Sequence, residues 1–328
     1  MSSNLSKPAA AASTAGRRAP LSVDMRVSVA GIALKNPILA ASGTFAYGVE
    51  YDDIVSLEKL GGFVVKGLSR EPMAGNPPPR LFETAAGMLN AIGLQNIGAR
   101  AFLDEKLPAL RQRKNIVVFA NVFGYTRADY EQTIEVLNEG EGIAAYELNV
   151  SCPNTRHGGI YFSNDPELLT EVINSCKRVA RRPLIVKLSP NVADIAPLAR
   201  AAEQAGADAI SLVNTFIALA VDAKTRRPRL GAGFGGLSGP AIKPIALRMV
   251  YQASKVVKIP VVGMGGIATG EDAAEFMIAG ASAVEVGTAT FWDPTSPVRI
   301  ASELGEFLKR EKIAQVSELV GTLKCAMD

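Results

Sequence analysis

Two lysines stand at the ends of apolar runs, in Val64-Val65-Lys66-Gly67 and Ile185-Val186-Lys187-Leu188. A lysine in an apolar strand is costly unless its charge is balanced. One such lysine could snorkel to solvent. Two on parallel strands point to a bound anion or to a site that develops negative charge. No carboxylate with matching periodicity stands out as a structural partner. Asn90, Asn149, Asn154 and Asn214 form a second group, each with one acceptor and two donors. Alone, each reads as a cap or turn residue. Together near one mouth they suit an amide-like ligand. Gly265-Gly266 and Gly287-Thr288 form a third group. Glycines there let backbone N–H groups approach an anion, so a phosphate of a substrate or a cofactor is expected. Cys152, in Ser151-Cys152-Pro153-Asn154 with His157-Gly158-Gly159 downstream, reads as a reactive thiol in a loop, a nucleophile or a general base. The competing reading is an inert buried cysteine.

These residues need elements to bring them together. From Met25 onward, apolar strand-like runs alternate with amphipathic helix-like runs. Strands are expected at residues 37–41, 63–68, 116–122, 145–151, 184–189, 209–215, 260–266 and 283–289. Most are continuously apolar, as strands buried on both faces are. Helices are expected at 51–60, 128–138, 166–181, 192–205, 242–257 and 269–279, with Asp165 as N-cap and Pro166 at the first helical position. Eight such units describe an α/β fold of the (β/α)₈ TIM-barrel type. The segments Ala205-Gly206-Ala207-Asp208-Ala209-Ile210 and Ala279-Gly280-Ala281-Ser282-Ala283-Val284 echo each other as helix end, turn and new strand. The open doubly wound alternative usually carries a GxGxxG fingerprint after its first strand, and Ser42-Gly43-Thr44-Phe45 does not match it. Residues 27–36 read as an N-terminal hairpin closing the far end. Residues 70–96 and 215–239 read as long loops over the C-terminal face of the strands. In that frame Lys66, Asn121, Asn149, Lys187, Asn214 and both glycine pairs converge on one mouth.

Composition narrows the function further. The 328 residues, 48% hydrophobic and 20% charged, can bury a large core. The domain division expected is a disordered tail over 1–24 and one catalytic barrel over 25–328. Arg17 and Arg18 lack the apolar core of an export signal behind them. The balance of 35 basic against 32 acidic residues argues against nucleic acid or an anionic membrane as partner. No apolar run reaches the ~18 residues of a membrane span. A single histidine rules out a metal site built from several histidines in one chain, and no metal is expected. Three separated cysteines are no disulfide framework, which favours a cytoplasmic setting. They also fall short of the four thiolates of an ordinary iron–sulfur cluster.

Asn149-Val150-Ser151-Cys152-Pro153-Asn154, with Lys66-Gly67, Asn90-Ala91-Ile92-Gly93-Leu94, Lys187-Leu188-Ser189-Pro190 and Asn214-Thr215, resembles the class 1 dihydroorotate dehydrogenases. Gly236-Leu237-Ser238-Gly239-Pro240-Ala241 and Ser42-Gly43-Thr44-Phe45 resemble the NAD-linked class 1B catalytic subunit. The resemblance implies oxidation of (S)-dihydroorotate to orotate in pyrimidine biosynthesis, with FMN as first hydride acceptor. It implies FMN contacts at Ser42, Lys66, Gly67, Asn121, Asn149, Lys187, Val213, Gly239, Gly265, Gly266, Gly287 and Thr288. It implies substrate contacts at Lys66, Asn90, Ala91, Ile92, Gly93, Leu94, Asn149, Asn214 and Thr215, with Asn154 nearby and Cys152 as catalytic base. It also implies a catalytic homodimer within a heterotetramer, whose second subunit carries FAD and a [2Fe–2S] cluster and passes electrons to NAD⁺. The alternatives are the fumarate-dependent class 1A enzyme and a dihydropyrimidine dehydrogenase catalytic domain. A barrel that only binds a phosphate ligand is a third, against which Cys152, Lys66 and Lys187 speak. Residue types leave open the final acceptor, the partner's docking surface and any role for Cys325 or the tail.

Overall fold

The computed structural model describes residues 22–150 and 159–324. Cys152, Asn154, His157 and Cys325 lie outside the described residues. Eight parallel strands close into a barrel: β1 Ile38–Ala40, β2 Gly62–Val64, β3 Val118–Val122, β4 Ile143–Asn149, β5 Leu184–Lys187, β6 Ala209–Leu212, β7 Val261–Met264 and β8 Ala283–Val286. Each strand pairs with the next in sequence, and β8 returns to β1 through Val284–Ile38, Glu285–Leu39 and Val286–Ala40. The expected TIM barrel is therefore present. The helices α1 Arg127–Leu137, α2 Pro166–Val179, α3 Ala196–Gln204, α4 Lys243–Ser254, α5 Gly270–Ile278 and α6 Ser296–Glu311 cover it. None of the helices among the described residues is long and apolar enough to cross a membrane.

The local signals explain these elements. Asp165 caps α2, its carboxylate accepting the N–H groups of Glu167 at 2.8 Å and Leu168 at 3.3 Å. Thr126 and Asp129 form a reciprocal capping box at α1, and Thr269 and Asp272 another at α5. The echoed segments end their helices alike. The Gly206 N–H donates to the Glu203 carbonyl and the Gly280 N–H to that of Met277, both at 2.9 Å. Both glycines have positive φ, +89° and +120°, which a side chain would strain.

The pleat divides each barrel strand between two environments. Leu39, Val64, Phe119, Ala145, Ile185, Ala209, Val262 and Ala283 point inward and pack with Val29 and Leu34 as one apolar plug. Val29 and Leu34 belong to the antiparallel hairpin Val27–Val29 and Ile32–Leu34, which closes that end as the sequence suggests. Residues of the opposite parity, such as Ile38, Phe63, Val118, Tyr146 and Val186, pack outward against the helices. This two-sided burial is why the strands read as continuous apolar runs.

Three features differ from the sequence reading. Residues 51–60 are not an α-helix but contain the short 3₁₀ turn Leu57–Lys59, preceded by another at Val49–Tyr51. Val55, Leu57 and Leu60 are buried while Ile54 is exposed, a spacing that no helical face provides. The two long loops over the mouth instead carry a four-stranded antiparallel sheet. Its strands run in the order Phe216–Ala218, Gly235–Ser238, Gly87–Asn90 and Leu81–Thr84. Asp24, at the edge of the expected tail, is tied in: its N–H donates to the Ala314 carbonyl at 2.8 Å.

Candidate active site

Two residues beyond each member of the apolar plug, the inward positions change character. They are Ala41, Lys66, Asn121, Glu147, Lys187, Ser211, Met264 and Glu285. Period two along a strand makes this the next inward layer. Of these, Ala41, Lys66, Asn121, Lys187, Met264 and Glu285 line the floor of a cavity of about 630 Å³ at the C-terminal mouth, a size suited to a cofactor-scale ligand, and Glu147 and Ser211 are buried behind them. The antiparallel sheet roofs it.

The floor is a buried ionic cluster. Lys187 Nζ lies 3.3 Å from Glu147 Oε1 and 3.7 Å from Glu285 Oε2. Asn121 Nδ2 donates to Glu147 Oε1 at 2.6 Å, and Ser211 Oγ donates to Glu147 Oε2 at 3.1 Å. Lys187 thus has two carboxylate neighbours, which corrects the expectation that no carboxylate matched its periodicity. The signal was available: Glu147 precedes Asn149 by two residues and Glu285 precedes Gly287 by two, so each shares its partner's face.

Electrostatics divides the two acids. Burial pushes both carboxyls up. For Glu147 this is outweighed by Lys187 and by hydrogen bonds from Glu285, Asn121 and Ser211, so it is held below the usual range. For Glu285 burial and the charge of Glu147 add, and together they outweigh Lys187. Its carboxyl is held well above the usual range. Burial would lower Lys187, but Glu147 and Glu285 outweigh it and keep the ammonium charged.

Most of the sequence-identified residues meet at this cavity. Ser42, Lys66, Gly67, Asn121, Asn149, Lys187, Val213, Gly239, Gly265, Gly266, Gly287 and Thr288 line it, as do Asn90, Ile92, Gly93, Leu94, Asn214 and Thr215. Ala91 does not line it. It is buried against Leu89 and Leu230, on the opposite side of the chain from Met88 and Asn90, which line the cavity. The asparagines are tied into the walls. Asn214 Nδ2 donates to Asn149 Oδ1 at 3.1 Å, and Asn90 Nδ2 to the Gly236 carbonyl at 3.2 Å. Asn191, outside the sequence reading, also matters, as does a contact between Thr288 and Ser238. Asn191 donates to the Thr215 carbonyl at 3.1 Å and accepts the Ile217 N–H at 2.9 Å, pinning the start of the second roof segment. Thr288 Oγ1 donates to Ser238 Oγ at 2.7 Å, joining the end of β8 to the roof.

Two observations fit a flavin nucleotide. Asn121 Oδ1 is buried and accepts no hydrogen bond from the described residues, although it faces a polar cavity. A ligand N–H would satisfy it. At Gly266 the backbone turns at φ +83°, and a Cβ would lie 2.8 Å from Lys243 Cβ and 2.9 Å from the Gly239 carbonyl. Only glycine keeps this strand end close enough to present its N–H to an anion.

A family model described as dihydroorotate dehydrogenase matches residues 24–308. The chain belongs to the dihydroorotate dehydrogenase family. This family is flavin-dependent, and membership makes the chain an oxidoreductase. A protein of Solibacter usitatus, provisionally named dihydroorotate dehydrogenase A (fumarate), is 72% identical over 92% of this chain and 98% of its own. The protein of Pelobacter propionicus named dihydroorotate dehydrogenase B (NAD⁺), catalytic subunit, is 52% identical over 92% of this chain and 99% of its own. The Geobacter sulfurreducens protein of the same name is 52% identical over 92% and 98%.

Proposed function

We propose that this chain oxidises (S)-dihydroorotate to orotate with FMN in the cavity, in pyrimidine biosynthesis in the cytoplasm. The observation that carries the reading is the convergence of Lys66, Asn90, Asn149, Asn214 and Thr215 with Lys187 at one cavity. FMN, when bound, supplies the acceptor for the hydride leaving C6. The phosphate is held by Gly265, Gly266, Gly287 and Thr288. Ser42, Gly67, Asn121, Val213 and Gly239 hold the rest of the nucleotide. Lys187 offers positive charge from the floor, where negative charge develops. Asn90, Ile92 to Leu94, Asn214 and Thr215 orient the pyrimidine, with Lys66 and Asn149 shared between substrate and flavin.

Cys152 takes the proton from C5. In sequence it follows the cavity-lining Asn149, the last residue of β4, by three residues. A thiol with an ordinary pKa near 8.5 becomes a usable base at mildly alkaline pH. Cys152→Ala is expected to leave FMN bound and to slow its reduction by dihydroorotate by about 10²-fold or more. Cys176→Ala is expected to leave that rate alone, since Cys176 is buried in α2 and burial pushes its thiol up to about 12. Stopped-flow absorbance reads both. Equal rates for wild type and Cys152→Ala would remove the base from the mechanism.

For the acceptor, we propose a partner subunit with FAD and a [2Fe–2S] cluster that delivers electrons to NAD⁺, assembled around a catalytic homodimer as a heterotetramer. The relatives named catalytic subunits support this reading. The name of the 72% identical relative favours a second reading, direct transfer to fumarate. The flavin of the purified chain is reduced anaerobically with dihydroorotate, then mixed with NAD⁺ or fumarate, with and without the iron–sulfur flavoprotein. NADH formed only with the partner supports the first reading. Rapid reoxidation by fumarate alone moves the acceptor to fumarate and leaves the substrate, FMN and Cys152 in place. Turnover of dihydrouracil in preference to dihydroorotate would overturn the substrate.

A further inference from the structure

The two buried glutamates on the cavity floor are not equivalent in geometry. Glu147 has a donor for each oxygen: Oε1 receives Asn121 Nδ2 and Lys187 Nζ, and Oε2 receives Ser211 Oγ. That is the environment of a carboxylate. Glu285 Oε2 is buried and has no hydrogen bond among the described residues, with Lys187 only at 3.7 Å. An ionised carboxylate left so poorly solvated is costly, whereas a carboxylic acid is not. Glu285 also lies within hydrogen-bonding reach of Glu147, and two acceptors at that contact need a proton between them. The charged groups facing Glu285 are Glu147 and Lys187; its ladder neighbours in β1 and β7 are Leu39 and Met264. One cation and two acids are then neutral only with one proton retained.

We propose that Glu285 is a positioning residue that carries a proton donated to Glu147, so that the Glu147–Lys187–Glu285 cluster is neutral. With Glu285 ionised, the Glu147–Lys187–Glu285 cluster would carry a net negative charge and would oppose negative charge arriving beside Lys187. With the proton in place, Glu147 alone balances Lys187, and the ammonium stays oriented and charged beneath the ligand. The direction of the Glu285 shift agrees with this arrangement. The functional part rests on the flavin reading of the preceding subsection, while the proton itself does not.

Infrared spectroscopy of the full chain at pH 7, in H₂O and D₂O, tests the proton. A carbonyl stretch of a protonated carboxylic acid is expected that shifts in D₂O, disappears in Glu285→Gln, and weakens in Glu147→Gln because Glu285 then ionises to balance Lys187. Absence of the band in wild type, or its survival in Glu285→Gln, overturns the proposal. The wild-type measurement decides even if a variant misfolds. The functional arm is the midpoint potential of bound FMN. Each single glutamine variant leaves one acid to balance Lys187, but Glu147→Gln with Glu285→Gln leaves none. The double variant is expected to shift the potential positive by more than the two single shifts combined. Additive shifts overturn the shared-proton arrangement. A chain that binds no FMN defeats the flavin reading, while the infrared arm still decides the proton.

Discussion

Replacing Lys187 by methionine keeps the aliphatic stem and removes the one cation that, among the described residues, lies against both buried glutamates. Breaking a buried ion pair from one side costs roughly 3–5 kcal/mol when the remaining charge is stranded. Here the stranded group is Glu147, and the floor has a way out: Glu147 can take a proton. Protonating a glutamate whose unfolded pKa is about 4.3 costs about 1.4 kcal/mol per unit of pH above that value. At pH 5 that is about 1 kcal/mol. At pH 8 it reaches about 5 kcal/mol, as costly as stranding the charge. Wild type behaves differently. Glu147 is held low there, so its stabilisation is present above the unfolded value and is lost only as pH falls through its folded pKa. Lys187 is held high, so its contribution is complete below the unfolded value of 10.5. Between pH 5 and 8 the wild-type pair contributes a constant. Glu285, raised in both proteins, loses stability with rising pH in both, and the difference between them isolates Glu147. Lys187→Met is therefore expected to be destabilised by about 1 kcal/mol at pH 5 and roughly 3–5 kcal/mol at pH 8. Urea unfolding of both proteins at pH 5, 6.5 and 8, with and without added FMN, measures this. A penalty equal at the two extremes, or larger at pH 5, would refute the account of the cluster.

The strand ends and caps give further tests. Gly266→Val forces a side chain into positive φ and against Lys243 and the Gly239 carbonyl. A loss of about 2–5 kcal/mol and a largely flavin-free protein are expected from strain and overpacking, read by thermal melting and by flavin absorbance after desalting. Full FMN occupancy in a folded Gly266→Val protein would displace the phosphate from this turn. Asp272 accepts the N–H groups of Ala268 and Thr269, both at 2.9 Å, and Lys243 Nζ at 2.5 Å. Burial would raise it, but Lys243 and these backbone donors outweigh that and hold it low. Its stabilisation is thus present above about pH 4 and lost as pH falls further. Asp272→Asn is expected to cost about 1–2 kcal/mol at pH 7 and less at pH 3, by urea unfolding at each pH.

How much of this arrangement was legible follows from what each signal encodes. The barrel was legible because burial on both faces leaves a run such as Leu184-Ile185-Val186 apolar throughout, and because Asp165-Pro166 and the Gly206 and Gly280 turns punctuate the helices locally. That same double burial erased the alternation that would have told inside from outside. Without it, Lys187 could be seen as unusual but not assigned a layer. Glu147 and Glu285, equally unusual in their runs, were not connected to it. The roof sheet was illegible for another reason. Gly87–Asn90 pairs with Gly235–Ser238 about 150 residues away, and nothing in either segment names its partner. The only local trace is the short separation between Leu81–Thr84 and Gly87–Asn90.

The inward parity can nevertheless be recovered once a single polar position is fixed. Taking Lys187 as inward places Ile185 in the plug below it and Ser189 above. Applied to the neighbouring strand, the same count places Ala145, Glu147 and Asn149 in successive layers. On the last strand it places Ala283, Glu285 and Gly287 likewise. The lower member of each set is apolar and belongs to the plug with Val29 and Leu34. The middle member belongs to the ionic floor. The upper member is an asparagine, a serine or a glycine at the level where a ligand is met. The inward residues are apolar beside the hairpin plug and charged one pleat nearer the mouth, because that layer is the first to meet whatever fills the cavity. With the proton on Glu285, the Glu147–Lys187–Glu285 cluster can be buried because its charges balance within it. A substitution that alters its net charge should therefore be felt in both directions along the barrel: as stability toward the plug, and as ligand electrostatics toward the mouth.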